Sequence, residues 1–239
     1  SVTAKGLILG NMNKVIINGG IPVNVVSGTL FTAPSSTTNT TVVSQSPFAG
    51  GGNSYQFNAS TSHIDINADA TLAMGTGDFT IEWFQYQTDS NNWPRIFAIG
   101  AFPNQSIGCS IEGGTFYAWC TGANSFGSVT PYKNTWVHFA MVRRSGMLYV
   151  FKNGVSIGTP VANTTDITNA SNTLWIGEDV AQGSATAFGG YITNFRWTKG
   201  LAVYTGNFTV PTGTLTATQL ANPFGGSNTQ AISTASYTK

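Results

Sequence analysis

The chain has 239 residues, 41% hydrophobic and 12% aromatic, with only 8% charged and a formal net charge of +1. Apolar material is ample for one large β domain with appendages or two small domains, whereas Asn, Ser, Thr and 28 glycines stand where helix formers would be needed. The weak charge excludes a long-range field that would gather nucleic acid or an anionic membrane surface, and no apolar run approaches the roughly twenty residues of a membrane helix.

The opening SVTAKGLILGNMNK has no basic leader followed by an apolar stretch of adequate length. Ser1 is a residue exposed when an initiator methionine is removed, so synthesis in a cytosol without the usual export route is expected. Residues 1–31 hold short β-like runs, KGLILG, KVIING and VNVVSGTLF, and read as a small attachment segment separate from the body. Residues 32–47, TAPSSTTNTTVVSQSP, are a polar, low-complexity linker or extended arm.

From Phe48 the texture changes to recurrent strand signals split by Asn, Gly, Ser and Pro. SYQFN and HIDI are short strands. DFTIEWFQY places Phe79, Ile81 and Trp83 on one face and Thr80, Glu82 and Phe84 on the other. RIFAIG follows, then the hairpin QSIGCSIEGGTFYAWC, in which Ile107, Cys109 and Ile111 share a face with Phe116, Ala118 and Cys120. A turn at Gly113-Gly114 pairs Cys109 with Ala118 and disfavours a disulfide; a turn one residue later permits a strained one. Reduced core thiols fit cytosolic synthesis better, and two cysteines with the distant His63 and His138 make no zinc signature.

TWVHFAMVRR puts Val137, Phe139 and Met141 on one side, and Arg143-Arg144 are expected to keep the Ser145-Gly146 turn solvated. LYVFKNGVSIG is a hairpin closed by a type I′ turn at Asn153-Gly154. TLWIGED is another strand. GGYITNFRWTK is the last long one, with Ile192 and Asn194 alternating against Thr193 and Phe195. Strands at this spacing without crossover helices define an all-β, antiparallel sandwich or jelly roll spanning 48–217, with a polar tail at 218–239.

The ordered set FNASTSHIDI, GTGDFTIEWFQY, TWVHFAMVRRSGMLYVFKNGVSIG, LWIGED and GGYITNFRWTKG resembles the laminin-G-like domain of the concanavalin A-like jelly-roll superfamily, over residues 54 to 200. Its phrases are an acid-aromatic "GDFTIE", "W-x-H", "LYV-x-x-NG", "IG" and "G-x-I-x-x-hydrophobic-R". The continuation LAVYTGNFTVPTGTLT is similar to laminin-G-like domains of tailed-phage structural proteins. That resemblance implies a non-enzymatic virion component, a capsid decoration or surface appendage. Its N-terminal segment would contact other virion proteins, and the low charge suits self-association into an oligomer. A carbohydrate-binding adhesin of a phage fibre or a bacterial cell surface is the alternative.

For a hydrolase the fold would need paired carboxylates flanking one bond. Glu82 has no second acid on its strand before Asp89, and it reads as a solvated or hydrogen-bonded sheet position; His138 reads as satisfying a loop or a neighbouring strand. No cofactor is expected unless it is calcium, which many laminin-G-like domains hold at a rim; the candidate ligands are Asp166, Glu178 and Asp179. Gly190-Tyr191-Ile192-Thr193-Asn194 stands where family members often carry two acids, so the ligand count favours a solvated acidic loop. Sugar contact needs exposed aromatic platforms beside fixed polar groups. The candidates are Trp93, Phe102 and Tyr132 in loops, and Trp119, whose strand position faces away from the core and is expected to be exposed.

Overall fold

The computed structural model describes residues 14–18, 21–25, 36–102, 104–120, 122–168, 172–179 and 182–232. In chain order the strands are β1 (Lys14–Asn18), β2 (Ile21–Val25), β3 (Ser36–Thr38), β4 (Thr41–Val43), β5 (Ser54–Asn58), β6 (His63–Ile66), β7 (Phe79–Gln87) and β8 (Arg95–Ile99). They continue as β9 (Ile107–Glu112), β10 (Thr115–Trp119), β11 (Ala123–Ser128), β12 (Val137–Arg144), β13 (Met147–Lys152), β14 (Val155–Ala162), β15 (Leu174–Ile176) and β16 (Gly189–Lys199). Among the described residues the helical content is two 3-10 turns, and no helix is long and apolar enough to cross a membrane.

One sheet runs β14-β13-β12-β7-β16, and the far edge of β16 is shared by β5 and β1, with β4 beyond β5 and β2 beyond β1. The other runs β11-β10-β9-β8-β15-β6-β3. The strand pairings are antiparallel throughout. Chain neighbours such as β7 and β8 belong to different sheets, which makes this a jelly-roll sandwich. Of the first 31 residues, β1 and β2 alone are described; within the polar stretch that follows, β3 joins one sheet and β4 the other.

The core fills the space between the sheets because period-two alternation sends one side of every strand inward. Phe79, Ile81 and Trp83 of β7 meet Val137, Phe139 and Met141 of β12 there. Trp83 sits at the centre, with Phe97, Phe116, Phe139 and Phe195 at ring-centroid distances of 5.7 to 6.3 Å. The turn between β13 and β14 has φ of 47° at Asn153 and 77° at Gly154, as the Asn-Gly pair predicts. The cysteine hairpin turns at Gly113-Gly114, so Cys109 faces Ala118, and both cysteine side chains are buried.

Strict alternation fails in β16. Its pairing with β7 slips between Thr193 and Arg196, and Asn194 has a φ of 53°. The bulge inserts one residue and reverses the phase. Ile192 therefore shares the core with Phe195 and Trp197, and not with Asn194 as the sequence pattern suggested. Asn194 Oδ1 instead accepts the Leu215 amide at 2.8 Å, and Arg196 is turned to the outer face.

That outer face is not open to solvent. Residues 201–232 cross it, and Val203, Tyr204, Phe208 and Ile232 pack on Ala140, Val142 and Phe151 as a second apolar cluster. The expectation that Arg143 and Arg144 hold a turn in water is also overturned. Arg143 is fully buried and donates to the carbonyls of Gly75, Gly77 and Thr165 and to Asn163 Oδ1, at 2.5 to 3.0 Å. Arg144 donates to the Thr205 carbonyl and to the Tyr149 hydroxyl. Both cations satisfy backbone oxygens that loops bring in from distant parts of the chain.

Candidate functional site

On β8 to β11 the residues that alternate away from the core form rows across the outer face of the seven-stranded sheet. Arg95, Ser110, Tyr117 and Ser125 are in register as one row. Trp175 of β15, Ala98, Gly108, Trp119 and Ala123 form the next. Gly108 has no room for a side chain, since a Cβ there would lie 2.9 Å from the Phe97 carbonyl oxygen. Large rings flanking small side chains leave a groove of about 620 Å³, walled by Trp93, Phe102, Tyr117 and Trp119 and closed at one end by Gln182, Ala185 and Thr186.

A charge pair lies at its base. Arg95 Nη1 donates to Glu112 Oε1 at 2.7 Å, and Ser110 donates to the same oxygen at 2.8 Å. The guanidinium is 4.4 Å from the Trp119 ring centroid and 5.5 Å from that of Phe102, so it is held between two aromatic faces. Nη2 reaches Gln182 Oε1 at 3.4 Å, and the Arg95 backbone amide donates to Thr186. Phe102 is positioned from below, since the buried Asp179 carboxylate accepts its amide at 3.2 Å and Gln105 Nε2 at 2.5 Å. Trp93 is 57% exposed and Phe102 41%. The arrangement offers apolar rings for the flat face of a ligand, with a fixed donor, a fixed acceptor and an amide beside them.

Three of the four aromatic candidates thus meet in one groove, with one correction. Trp119 is 4% exposed, because the Arg95 guanidinium covers its ring. Tyr132 belongs elsewhere: it is packed into the sandwich core and borders a separate cleft with Pro131 and Lys133. Arg95, Glu112, Tyr117 and Gln182 escaped the sequence reading. Tyr117 and Glu112 carried a usable signal, since both alternate against core-facing neighbours in the cysteine hairpin.

The three calcium candidates do not fit a shared ion. Glu178 Oε2 lies 2.9 Å from His63 Nδ1, Asp179 holds the Phe102 loop, and Asp166 lies beside Gly75 among the charges around Arg143. Among the described residues no three His, Cys, Asp or Glu side chains form a group that could hold a metal.

Glu82 is hydrogen-bonded and not solvated. It is fully buried, accepting from Arg196 Nε at 2.7 Å and from the Tyr204 hydroxyl at 2.6 Å, with His138 Nε2 at 3.2 Å. Burial by itself would raise its carboxyl strongly; the Arg196 charge, His138 and the Tyr204 hydrogen bond together outweigh this and hold it at about 2. Its contacts fasten three strands and the C-terminal segment together.

Two antiparallel sheets in jelly-roll order with a groove on one outer face define an all-β sandwich. Residues 57–201 match the Laminin_G_3 family, described as the concanavalin A-like lectin/glucanases superfamily, and the chain belongs to it. Among solved structures it is similar to the binding domain of the Paraclostridial Mosquitocidal Protein 1, with a TM-score of 0.59 and 14% identity, over 80% of this chain and 49% of that one. It thus spans about half the length of that relative. Domain 4 of AbnA, a GH43 extracellular arabinanase from Geobacillus stearothermophilus in complex with arabinotriose, aligns with a TM-score of 0.52 and 16% identity, over 79% of this chain and 83% of that one. The CBM40 of the Ruminococcus gnavus IT-sialidase, bound to α2,6 sialyllactose, gives 0.52 and 12%, over 64% and 92%. At such identities the likeness is one of fold. No curated protein matches the chain.

Proposed function

We propose that the protein is a carbohydrate-binding module that holds its ligand in the groove around Arg95 and Glu112. The observation that carries this reading is the meeting of Trp93, Phe102, Tyr117 and Trp119 around that fixed charge pair. It is supported by the arabinotriose and sialyllactose complexes of the similar folds. The module is non-enzymatic: Glu112 is the sole carboxylate among the described residues lining the groove, and hydrolysis of a glycosidic bond ordinarily uses two. The test is a glycan array followed by calorimetry. Binding is expected, and Trp93→Ala should weaken it at least about tenfold, roughly 1.4 kcal/mol. Because Trp93 is largely exposed, that variant should melt within a degree or two of the wild type. No binding at millimolar sugar, or a silent Trp93→Ala, refutes the reading.

We further propose that this module is displayed on the virion of a tailed phage, assembled among other virion proteins. The phrase LAVYTGNFTVPT, similar to that of phage structural proteins, favours this setting over a bacterial cell surface. Mass spectrometry of purified particles tests it. Stoichiometric copies are expected, and absence of the chain from particles excludes it.

A further inference from the structure

Resting on the glycan reading, we infer that the groove is one half of a longer track that takes the interior of a linear, neutral polysaccharide. On the other side of Phe102 lies a second cleft of about 490 Å³, lined by Asn104, Asn172, Thr173 and Trp175 together with Phe102 itself. The half-exposed Phe102 ring is common to both clefts, so a ligand crossing it occupies both. The strand register places Trp119 and Trp175 on the same face, separated by Gly108 and Ala98. Three inter-strand steps set these two backbone positions about 14 Å apart across the sheet, farther than one sugar ring extends. The lane between them carries the smallest side chains of the face.

Charge selects the class of chain. In the first cleft the guanidinium of Arg95 is already paired with Glu112 at 2.7 Å. The second cleft offers amides, a hydroxyl and an indole, and no charged side chain among its described lining residues. Among the described lining residues of the two clefts, a uronate or sialate would find no cation that is not already paired. Neutral sugar hydroxyls, each both donor and acceptor, match the Arg95–Glu112 pair in the first cleft and the amides in the second.

The experiment is calorimetric titration of the full chain with linear cello-, xylo-, malto- and arabino-oligosaccharides of two to six residues, alongside oligogalacturonides and oligosialic acid. In at least one neutral series affinity should rise tenfold or more between two and five residues and then level off. Trp175→Ala should remove that gain and leave the shortest binding oligomer within twofold of the wild-type Kd. Asn104→Ala, an exposed change that leaves the sheet intact, should reduce the gain in the same direction. Affinity independent of length, tighter binding of the acidic oligomers, or a full length gain in both variants overturns the inference. Array binding confined to branched or sialylated glycans overturns the extended track while the groove itself stands. Binding to no glycan of any kind overturns both.

Discussion

Replacing Glu82 with Gln tests the physical account of how the C-terminal segment is held to the sandwich. The carboxylate has no solvent exposure and accepts from Arg196 and Tyr204, with His138 alongside. Its folded value of about 2, against an ordinary 4.5, is a depression. The stabilisation it brings is therefore complete above pH 4.5 and is lost as pH falls toward 2. The shift corresponds to about 3 kcal/mol at neutral pH. Glu82→Gln also takes the paired carboxylate away from the buried Arg196, so the expected cost at pH 7 is about 3–5 kcal/mol. Guanidinium denaturation followed by tryptophan fluorescence reads this directly, as a lower midpoint with little change in slope. Between pH 6 and pH 3 the gap between wild type and variant should narrow by about 2 kcal/mol, since the wild type alone loses the carboxylate's contribution. Glu82→Leu combined with Arg196→Met should be less damaging than Glu82→Gln, because no unpaired charge is left behind. A cost below about 1 kcal/mol at pH 7, or a gap that does not change with pH, would refute the reasoning.

Three further outcomes follow from particular contacts. Burial pushes the Cys120 thiol up to about 12 and Cys109 well above its ordinary value, so neither should react with a disulfide reagent at pH 8 until the chain unfolds, when both become available; stoichiometric labelling of the native protein would contradict this. Asn194→Ala should cost about 2 kcal/mol through its left-handed backbone and the lost Leu215 and Thr193 hydrogen bonds, whereas Asn194→Gly should cost about 1, as only the side-chain hydrogen bonds go; equal losses in denaturation would remove the backbone component. Arg143→Lys should lose about 3 kcal/mol, because an ammonium cannot reach the four acceptors that the planar guanidinium serves; a neutral result by thermal melting would show those bonds to be unimportant.

Much of the fold was legible because a half-buried strand writes its own alternation. The inward faces of β7, β12 and the cysteine hairpin and the Asn153-Gly154 turn follow from spacing alone, whereas the register of the cysteine hairpin does not. The bulge in β16 was not legible, since nothing in YITNFRW marks an extra residue, and one insertion reverses which side every later residue faces. The two arginines of β12 were misread for a different reason. A cation beside a Ser-Gly turn is ordinarily solvated, and the carbonyls that make burial tolerable for Arg143 come from Gly75, Gly77 and Thr165, far away along the chain. In the groove, Trp93 and Phe102 stood out as loop aromatics, while Arg95 and Glu112 looked like any outward strand residues.

By itself, then, the order of residues determined the class of fold, the core-facing side of most strands and three of the aromatic groups in the groove. These depend on local periodicity and turn chemistry, which act over a few residues. Tertiary structure alone decided that Trp119 lies under Arg95, that Gln182 and Glu112 flank the same guanidinium, that Tyr132 belongs to the core, and that Glu82 is sealed beneath Tyr204. Those facts depend on strand register and on segments that return after long excursions. The energy that selects them comes from pairing buried charges and polar groups across the sandwich, an interaction that has no counterpart along the chain.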